Sequence, residues 1–284
     1  MAFPLLLLSP SKSMNREWSE PLPKIGYPGL DSARPGADFD LSTNLREALG
    51  KKSLEELVEY FGVSQALGKE IHNLYSAPGI PRPMWTWYAG EAFKFLRLPD
   101  FFHEPQESML FQRASRGILV LSALYGCILP WENIQGYRLD FTLPMPDGSK
   151  MPGLRALWAG RVISRINTLS ATLDTPLCIS CASEEYESLF QPTTRNAEVS
   201  LDRPLVRIQF IQAHPKTGKP AKISARAKQA RGIFVRWVIE TLPEEAQSVD
   251  AIVGHLKSFD REGYRLTGST EQELSFSQVA ESTQ

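Results

Sequence analysis

Short stretches of the sequence carry side chains that could act together in one reaction. Ser9 and Lys12 place a hydroxyl and an ammonium three residues apart. Burial or a neighbouring cation could lower the pKa of the lysine, so that it acts as a base. Carboxylates that lie beside several cations would stay ionised, and they could orient a ligand or accept a proton. The predicted catalytic residues are therefore Lys12, Glu184, Glu185 and Tyr186.

A basic segment could supply the binding half of such a site. From Arg203 to Ile239 there are nine Lys or Arg residues and no Asp or Glu, although the whole chain has a net charge of −1. This distribution predicts an anionic partner held at one place, and arginine can hold a phosphate or carboxylate through two parallel hydrogen bonds. An equally weighted alternative is a solvated basic face on a core helix. The predicted anion-binding or DNA-binding residues are Ser9, Arg138, Lys222, Arg226, Lys228, Arg231, Gly62 and Lys69.

Predicted strands would bring many of these residues together. Short apolar or alternating runs indicate strands at Phe3–Leu8, Ile118–Leu124, Tyr137–Phe141, Leu177–Ala182, Leu205–Ala213, Phe259–Leu266 and Glu273–Phe276. Most of the predicted catalytic residues lie at or just beyond the end of a strand, where open α/β sheets bind ligands. The alternative is a buried salt-bridge network that fixes the strand ends. The segment from His214 to Lys219 is predicted to form a hairpin turn.

Helical patterns alternate with these strands. They cover Leu41–Leu49, Gln106–Arg116, Leu154–Leu169, two segments that begin at Ser53 and Ser64, a short helix opened by Ser183, and the second half of Lys219–Glu240. Ser53 and Glu56 form a capping box, and Gly62 is expected to end that helix. Two short helices joined at Gly62 resemble a helix-hairpin-helix, in which turn amides bind a nucleic-acid phosphate without reading bases. An ordinary helical hairpin is the favoured alternative.

The alternation of strands and helices predicts one mixed α/β domain. It would cover residues 1–276, with a central sheet flanked by helices, a helical insertion at about 41–75 and a frayed tail at 277–284. Hydrophobic residues make up 42% of the chain and charged residues 22%, which is typical of a globular protein. The apolar run at residues 1–8 is too short for a membrane span and lacks the charged start of a signal peptide. A cytoplasmic protein without membrane contact is expected.

The cysteines and histidines predict neither a disulfide framework nor a metal site. Three cysteines are an odd number, which argues against a disulfide framework. Cys178 and Cys181 lie on one predicted strand and would point to opposite faces, so their sulfurs could not easily hold one ion. Both are expected to be core residues. The four histidines lie in unrelated segments, without the spacing of a zinc or iron site. The sequence also has no phosphate loop. No metal or cofactor is therefore predicted.

Seven segments in order resemble the YaaA peroxide-stress protein family over nearly the whole chain. They are Leu8-Ser-Pro-Ser-Lys12, Leu121-Ser-Ala-Leu-Tyr-Gly126, Tyr137-Arg-Leu-Asp140, Leu157-Trp-Ala-Gly160, Ala182-Ser-Glu-Glu-Tyr186, Ala227-Lys-Gln-Ala-Arg-Gly232 and Asp260-Arg-Glu-Gly-Tyr264. The resemblance implies a cytoplasmic protein of mixed α/β fold, with a basic cleft and a helix-hairpin-helix-like element. It also implies DNA binding and the protection of DNA when peroxide and iron meet.

Some positions differ from the family pattern. Lys228-Gln229 stands where the family has paired lysines, Ser11 replaces an alanine, and Glu184 replaces an aspartate. Three hypotheses remain open. In the first, the chain is a stress protein that binds double-stranded DNA. In the second, it is an enzyme that acts on a small anionic metabolite or nucleotide in the same cleft. In the third, it is an interaction scaffold without chemistry. A metabolite-sized pocket would favour the enzyme, and a trough as wide as a duplex would favour DNA binding.

Overall fold

A central sheet carries the candidate residues. The computed structural model describes residues 3–20, 22, 36–149, 153–191, 200–213, 220–221 and 224–278. The strands in these ranges are β1 (Leu5–Leu8), β2 (Arg82–Pro83), β3 (Ile118–Ser122), β4 (Gly126–Ile128), β5 (Asn133–Ile134), β6 (Cys178–Ser180), β7 (Leu205–Ala213), β8 (Pro220–Ala221), β9 (Tyr264–Ser269) and β10 (Glu273–Gln278). Seven of them follow the order β4-β3-β1-β6-β7-β10-β9, β8 pairs with β7, and β2 pairs with β5.

The middle of this sheet is parallel and fully buried. β1 consists of four leucines, each at most 1% exposed, and it pairs in parallel with β3 and β6. A continuous apolar run of this kind is typical of a strand that is covered on both faces. Because parallel strands end at the same edge, the residues that follow β1 and β6 become neighbours, and the Cys181 N–H donates to the Leu7 carbonyl (2.9 Å).

The helices are mostly those that capping and periodicity predicted. In the described ranges they are α1 (Phe39–Gly50), α2 (Leu54–Phe61), α3 (Gln65–Ser76), α4 (Glu91–Leu96), α5 (Leu98–Phe102), α6 (Met109–Gly117), α7 (Leu154–Thr172), α8 (Glu184–Glu187), α9 (Ser224–Thr241) and α10 (Val249–Lys257), with 3₁₀ turns at Met84–Thr86 and Ser188–Phe190. The Ser53 capping box and the left-handed Gly62 cap are both present. None of the described helices has the length and apolarity needed to span a bilayer.

The strand predicted at Tyr137–Phe141 is wrong. Its alternating burial is real, since Tyr137 and Leu139 are each 2% exposed, but side chains occupy the hydrogen-bonding positions of a strand partner. The Tyr75 hydroxyl donates to the Arg138 carbonyl (2.6 Å) and accepts from the Arg138 N–H (3.3 Å). Periodicity alone cannot separate a strand from an extended segment tied by side chains.

Other boundaries also needed correction. The strand predicted from Phe259 begins only at Tyr264, because residues 260–263 form a turn that includes Glu262 at φ 52° and Gly263 at φ 73°. The last strand continues to Gln278, so residues 277 and 278 are paired rather than frayed. Helices α4, α5 and α10 were not predicted. The expected hairpin turn at residues 214–219 lies outside the described residues.

Candidate ligand pocket

A pocket of about 360 Å³ lies where β1 and β6 end. This is the sheet edge at which α/β folds bind ligands. Its volume falls within the range of about 300–1,000 Å³ that small-molecule sites occupy. Six residues predicted from widely separated parts of the sequence line it together: Ser9, Lys12, Glu185, Tyr186, Lys228 and Arg231.

Two loops at the strand ends are tied to each other at the base of the pocket. Ser9 follows β1, and its hydroxyl oxygen accepts the Ser183 N–H (2.8 Å). The Ser183 hydroxyl lies 3.2 Å from the same oxygen. Ser183 immediately precedes α8, so this tie fixes the start of the helix that carries Glu185 and Tyr186.

A compact group of acids and a lysine lies on one side of the pocket. Lys12 Nζ donates to Asp140 Oδ2 (2.8 Å), and the Tyr186 hydroxyl lies 3.4 Å from Asp140 Oδ1. Glu185 Oε1 accepts the Phe141 N–H (3.2 Å). Burial and the nearby Asp140 charge raise the pKa of Glu185, while Lys12 and the Phe141 hydrogen bond act against them. A carboxyl group with a raised pKa holds its proton more readily than a free one, which suits it to proton transfer.

Asp140 is the residue of this group that the sequence reasoning did not select. It lies at the end of the Tyr137-Arg-Leu-Asp140 stretch, which was the available signal. Only the tertiary structure brings it to Lys12, because the two are far apart in the chain. Burial and the Asp140 charge also raise the pKa of Tyr186 well above its usual value, so this hydroxyl keeps its proton.

Two cations of α9, Lys228 and Arg231, also line the pocket. Arg231 makes no hydrogen bond or ion pair with any described residue, and its Nε is buried without a partner. Burial lowers the pKa of this guanidinium, whereas Cys181, Glu187 and Glu184 act to raise it. Lys228 is exposed at the same wall. A mostly buried guanidinium that has no hydrogen bond or ion pair among the described residues is costly, and an anionic ligand would relieve that cost.

Comparison with known proteins identifies the family. A family model described as "Peroxide stress protein YaaA" matches residues 5–270. The chain belongs to the YaaA family. A UPF0246 protein of Paracidovorax citrulli is 29% identical over 269 residues, covering 93% of this chain and 94% of that relative. A UPF0246 protein of Desulforapulum autotrophicum is 28% identical over 273 residues, covering 94% and 96%. One from Polynucleobacter asymbioticus is 34% identical over 151 residues, covering 52% and 51%.

Two glycines let the walls of this YaaA-family pocket approach each other. A Cβ on Gly232 of α9 would lie 2.0 Å from the Ala92 carbonyl oxygen of α4, and a Cβ on Gly90 would lie 2.5 Å from Ser11 Oγ. Gln229 Nε2 also donates to Glu91 Oε2 (2.7 Å) between the same helices. The α4–α9 contact therefore positions Lys228 and Arg231 against the rest of the pocket.

The remaining predicted residues lie elsewhere. Glu184 is exposed beside the pocket without being part of its lining, and Arg226 is exposed near the start of α9. Arg138 lines a neighbouring cavity of about 260 Å³ that also includes Lys12. Gly62 and Lys69 are exposed on the α2–α3 hairpin. Lys222 lies outside the described residues.

The α2–α3 hairpin shows the hydrogen bonding of an ordinary helix end. The Gly62 N–H donates to the Glu59 carbonyl, and the Val63 N–H donates to the Val58 carbonyl (both 3.2 Å). These amides are engaged within the hairpin rather than turned to an external phosphate. Residues 53–76 contain four glutamates and one lysine, so this surface is acidic overall. The hairpin therefore adds no support to the prediction of DNA binding.

Within the described residues, the basic segment from Arg203 to Ile239 does not form one charged surface. Arg236 pairs with Asp100 (2.9 Å) and with Glu240 (2.8 Å), beyond the pocket end of α9. Arg207 Nε lies 4.0 Å from Glu187 Oε2. Some of the positive charge counted in the sequence is thus neutralised locally, and within the described residues Lys228 and Arg231 remain as the cations of this segment that line the pocket.

The cysteines are core residues, as predicted. Cys178 and Cys181 are fully buried and unpaired, although Cys181 also contributes to the pocket floor. Burial raises the pKa of the Cys178 thiol to about 11 and raises the pKa of Cys181 as well. Thiols with raised pKa values are poor nucleophiles at neutral pH. Among the described residues, no group of three or more His, Cys, Asp or Glu side chains could hold a metal ion.

A larger cavity, of about 680 Å³, lies away from this site, beside Phe3 and Gly117. The buried cation of this cavity, Arg113, already has a structural role. Arg113 donates to the Ile239 carbonyl (3.0 Å), which a helical N–H at position 243 would otherwise satisfy. Residue 243 is a proline and has no N–H to donate. Arg113 thus completes the end of α9, and we assign the candidate site to the smaller pocket.

Proposed function

We propose that this YaaA-family protein is an enzyme that acts on a small anionic metabolite, with Glu185 as the residue that transfers a proton. The observation that carries the proposal is the unpaired Arg231, which faces a metabolite-sized pocket that also contains a carboxyl group of raised pKa. Acids and bases are both placed there, whereas a DNA groove needs few carboxylates. The substrate would carry a phosphate or carboxylate group.

The proposed roles follow from the geometry. Arg231 binds the anionic group through two parallel hydrogen bonds, and Lys228 adds charge at the same wall. Glu185 then accepts a proton from the bound substrate or donates one to it. Lys12, held 2.8 Å from Asp140, offers a positive charge to negative charge that develops in the transition state. Tyr186 keeps its proton and is available as a neutral hydrogen-bond donor.

Thermal-shift measurements with phosphorylated and carboxylated metabolites test the binding half of the proposal. A ligand present at about 100 times its dissociation constant stabilises the folded state by about 2.7 kcal/mol. At about 2 °C per kcal/mol, this corresponds to a rise of about 5 °C in Tm. We expect Arg231→Gln to abolish the rise, and exposed Arg261→Gln to leave it unchanged as a matched control. A panel without any stabilising ligand, or a shift that survives Arg231→Gln, would contradict the proposal.

The catalytic half needs a turnover assay with the ligand so identified. Glu185→Gln keeps the size and the hydrogen-bond acceptor of the side chain but removes its titrating proton. We expect this variant to bind the ligand and to lose at least about 100-fold in kcat, as is typical when a general acid or base is removed. Unchanged kcat would exclude Glu185 from proton transfer and leave the pocket as a binding site.

Binding of double-stranded DNA remains the second candidate. Exposed Lys228 and half-exposed Lys12 line the pocket, and exposed Arg226 lies outside it near the start of α9. All three could contact phosphates, as the family resemblance implies. The acidic α2–α3 hairpin would repel DNA phosphates, so it does not extend the contact surface for DNA. A gel-shift titration decides the matter, because phosphate contacts should weaken steeply as salt rises. Duplex binding at low salt that Lys228→Gln and Arg226→Gln both weaken would favour DNA. A cytoplasmic location also stays a prediction.

A further inference from the structure

We propose that the pocket and the neighbouring cavity form one bipartite site for a small molecule with two separated anionic groups, such as a bisphosphate or a phosphorylated carboxylic acid. The proposal rests on the proposed function, because it takes the Arg231 pocket as the place of the first anionic group. It adds a second binding position, centred on Arg138, and thereby narrows the class of substrate.

The two cavities share a wall. Lys12 and Ser13 line both the pocket of about 360 Å³ and the cavity of about 260 Å³. Lys12 is held in this shared wall by its ion pair with Asp140 (2.8 Å). Each cavity alone lies near the lower end of the range for small-molecule sites, and the two together lie well inside it. A ligand that extends from one cavity to the other would pass beside the Lys12 ammonium.

The second cavity is basic. Its charged lining consists of Lys12, Arg16, Arg138 and one acid, Glu70. Arg16 donates to the Glu70 backbone carbonyl (2.5 Å), which fixes its guanidinium near the wall without neutralising it. The helix α3 side chains Leu67, Ile71 and Leu74 close the other side. This arrangement provides fixed cations against an apolar wall, which suits a compact anionic group.

Arg138 is the strongest indication that a ligand belongs there. Both of its backbone polar groups are tied to the Tyr75 hydroxyl, so the position of its Cα is fixed. Its guanidinium has no hydrogen bond or ion pair with any described residue. The guanidinium of Arg231, in the first pocket, likewise has no hydrogen bond or ion pair with any described residue. Each of the two cavities that share Lys12 is thus lined by an arginine without a hydrogen bond or ion pair among the described residues, which matches a ligand that has an anionic group at each end.

The length of the ligand is the variable that tests this inference. We would measure calorimetric affinities of alkanediol bisphosphates from propanediol to octanediol, of the matching alkyl monophosphates, and of inorganic pyrophosphate. Pyrophosphate carries comparable charge at a single place and therefore controls for simple charge attraction. At one chain length, the bisphosphate is expected to bind about tenfold more tightly than its monophosphate, since one further charge-assisted hydrogen bond typically contributes that much.

Arg138→Gln should remove this advantage, so that the ratio of the two affinities falls to about one, while Arg261→Gln keeps it. A bisphosphate series without an optimal length, or an advantage that persists in Arg138→Gln, would overturn the inference. If monophosphates bind in an Arg231-dependent way and bisphosphates gain nothing, only the bipartite site fails. If neither a phosphate ester nor a carboxylate of the thermal-shift panel binds, the proposed function fails with it. Displacement of the bound bisphosphate by a short DNA duplex, in an Arg138-dependent way, would show that the two cations serve DNA and would also overturn the inference.

Discussion

Replacing Gly232 by alanine tests the contact that holds the two walls of the pocket together. Gly232 lies in α9, one residue after Arg231, and faces the backbone of α4. The added Cβ would lie 2.0 Å from the Ala92 carbonyl oxygen, 2.9 Å from its carbonyl carbon and 3.1 Å from the Leu96 nitrogen. These atoms belong to a helix backbone and cannot rotate away. The two helices must therefore separate, by more than about 1 Å, before the contact becomes an ordinary van der Waals contact.

The expected cost combines two opposite effects. Overpacking in a closed interface usually costs about 1–3 kcal/mol, and a clash with backbone places this site at the upper end. Alanine within a helix is favoured over glycine by about 0.5–1 kcal/mol. The free energy of unfolding should thus fall by about 2 kcal/mol. For a chain of this size, the corresponding decrease in Tm is about 4 °C.

Gly254→Ala is a matched control. Gly254 also lies within a helix, α10, and a Cβ there would meet no atom within 4 Å. Its substitution should stabilise the protein by about 0.5–1 kcal/mol. Urea denaturation of both variants gives the two free energies. Ligand affinity should also decrease in Gly232→Ala, because Arg231 moves with α9. If Gly232→Ala proves as stable as Gly254→Ala, the α4–α9 contact is not as close as described.

Three further predictions concern single groups. The pKa of Glu185 is raised in the folded state, so its contribution to stability is present when it is protonated and is lost as pH rises through that pKa. Glu185→Gln should therefore be more stable than the wild type at neutral pH and lose this advantage in acid, as urea denaturation at several pH values would show. Arg113→Met leaves the Ile239 carbonyl without its donor and should cost about 1–3 kcal/mol in denaturant unfolding, whereas Arg116→Met, on the exposed surface, should change stability by less than about 0.5 kcal/mol. With the pKa of Cys178 raised to about 11 and all three thiols buried, the native cysteines should not react with a thiol reagent at neutral pH, although they should react at once in urea.

The sequence was sufficient to predict the buried strands and the capped helices, but not the order of the strands in the sheet. A run of four leucines predicts a buried strand, and the Ser53–Glu56 capping box predicts the start of a helix. Both signals depend only on residues that are close in the chain. The extended segment at Tyr137–Phe141 was misread because its hydrogen bonds go to Tyr75 and Glu185, which are distant in the chain. Contacts of that kind leave no periodic trace in the sequence.

The same distinction applies to the pocket. Placing Lys12 and Glu185 after predicted strands was enough to expect that they would converge, because parallel strands end at one edge. Arg231 reaches the same pocket from helix α9. Asp140 was not selected, since its importance depends on Lys12 reaching it across the fold. Charge counting along the chain likewise missed that Arg236 is neutralised by Asp100, a residue on another helix.

The place of β1 in the sheet has a consequence for biosynthesis. This strand is made long before its partners, since Leu6 pairs with Ile118 and Leu5 with Cys178. The nascent chain must therefore keep four consecutive leucines from aggregating until most of the polypeptide has left the ribosome. Sheets closed by such distant pairings assemble slowly and expose apolar segments meanwhile. We therefore expect the nascent chain to need a chaperone that covers β1 until β3 and β6 have been made.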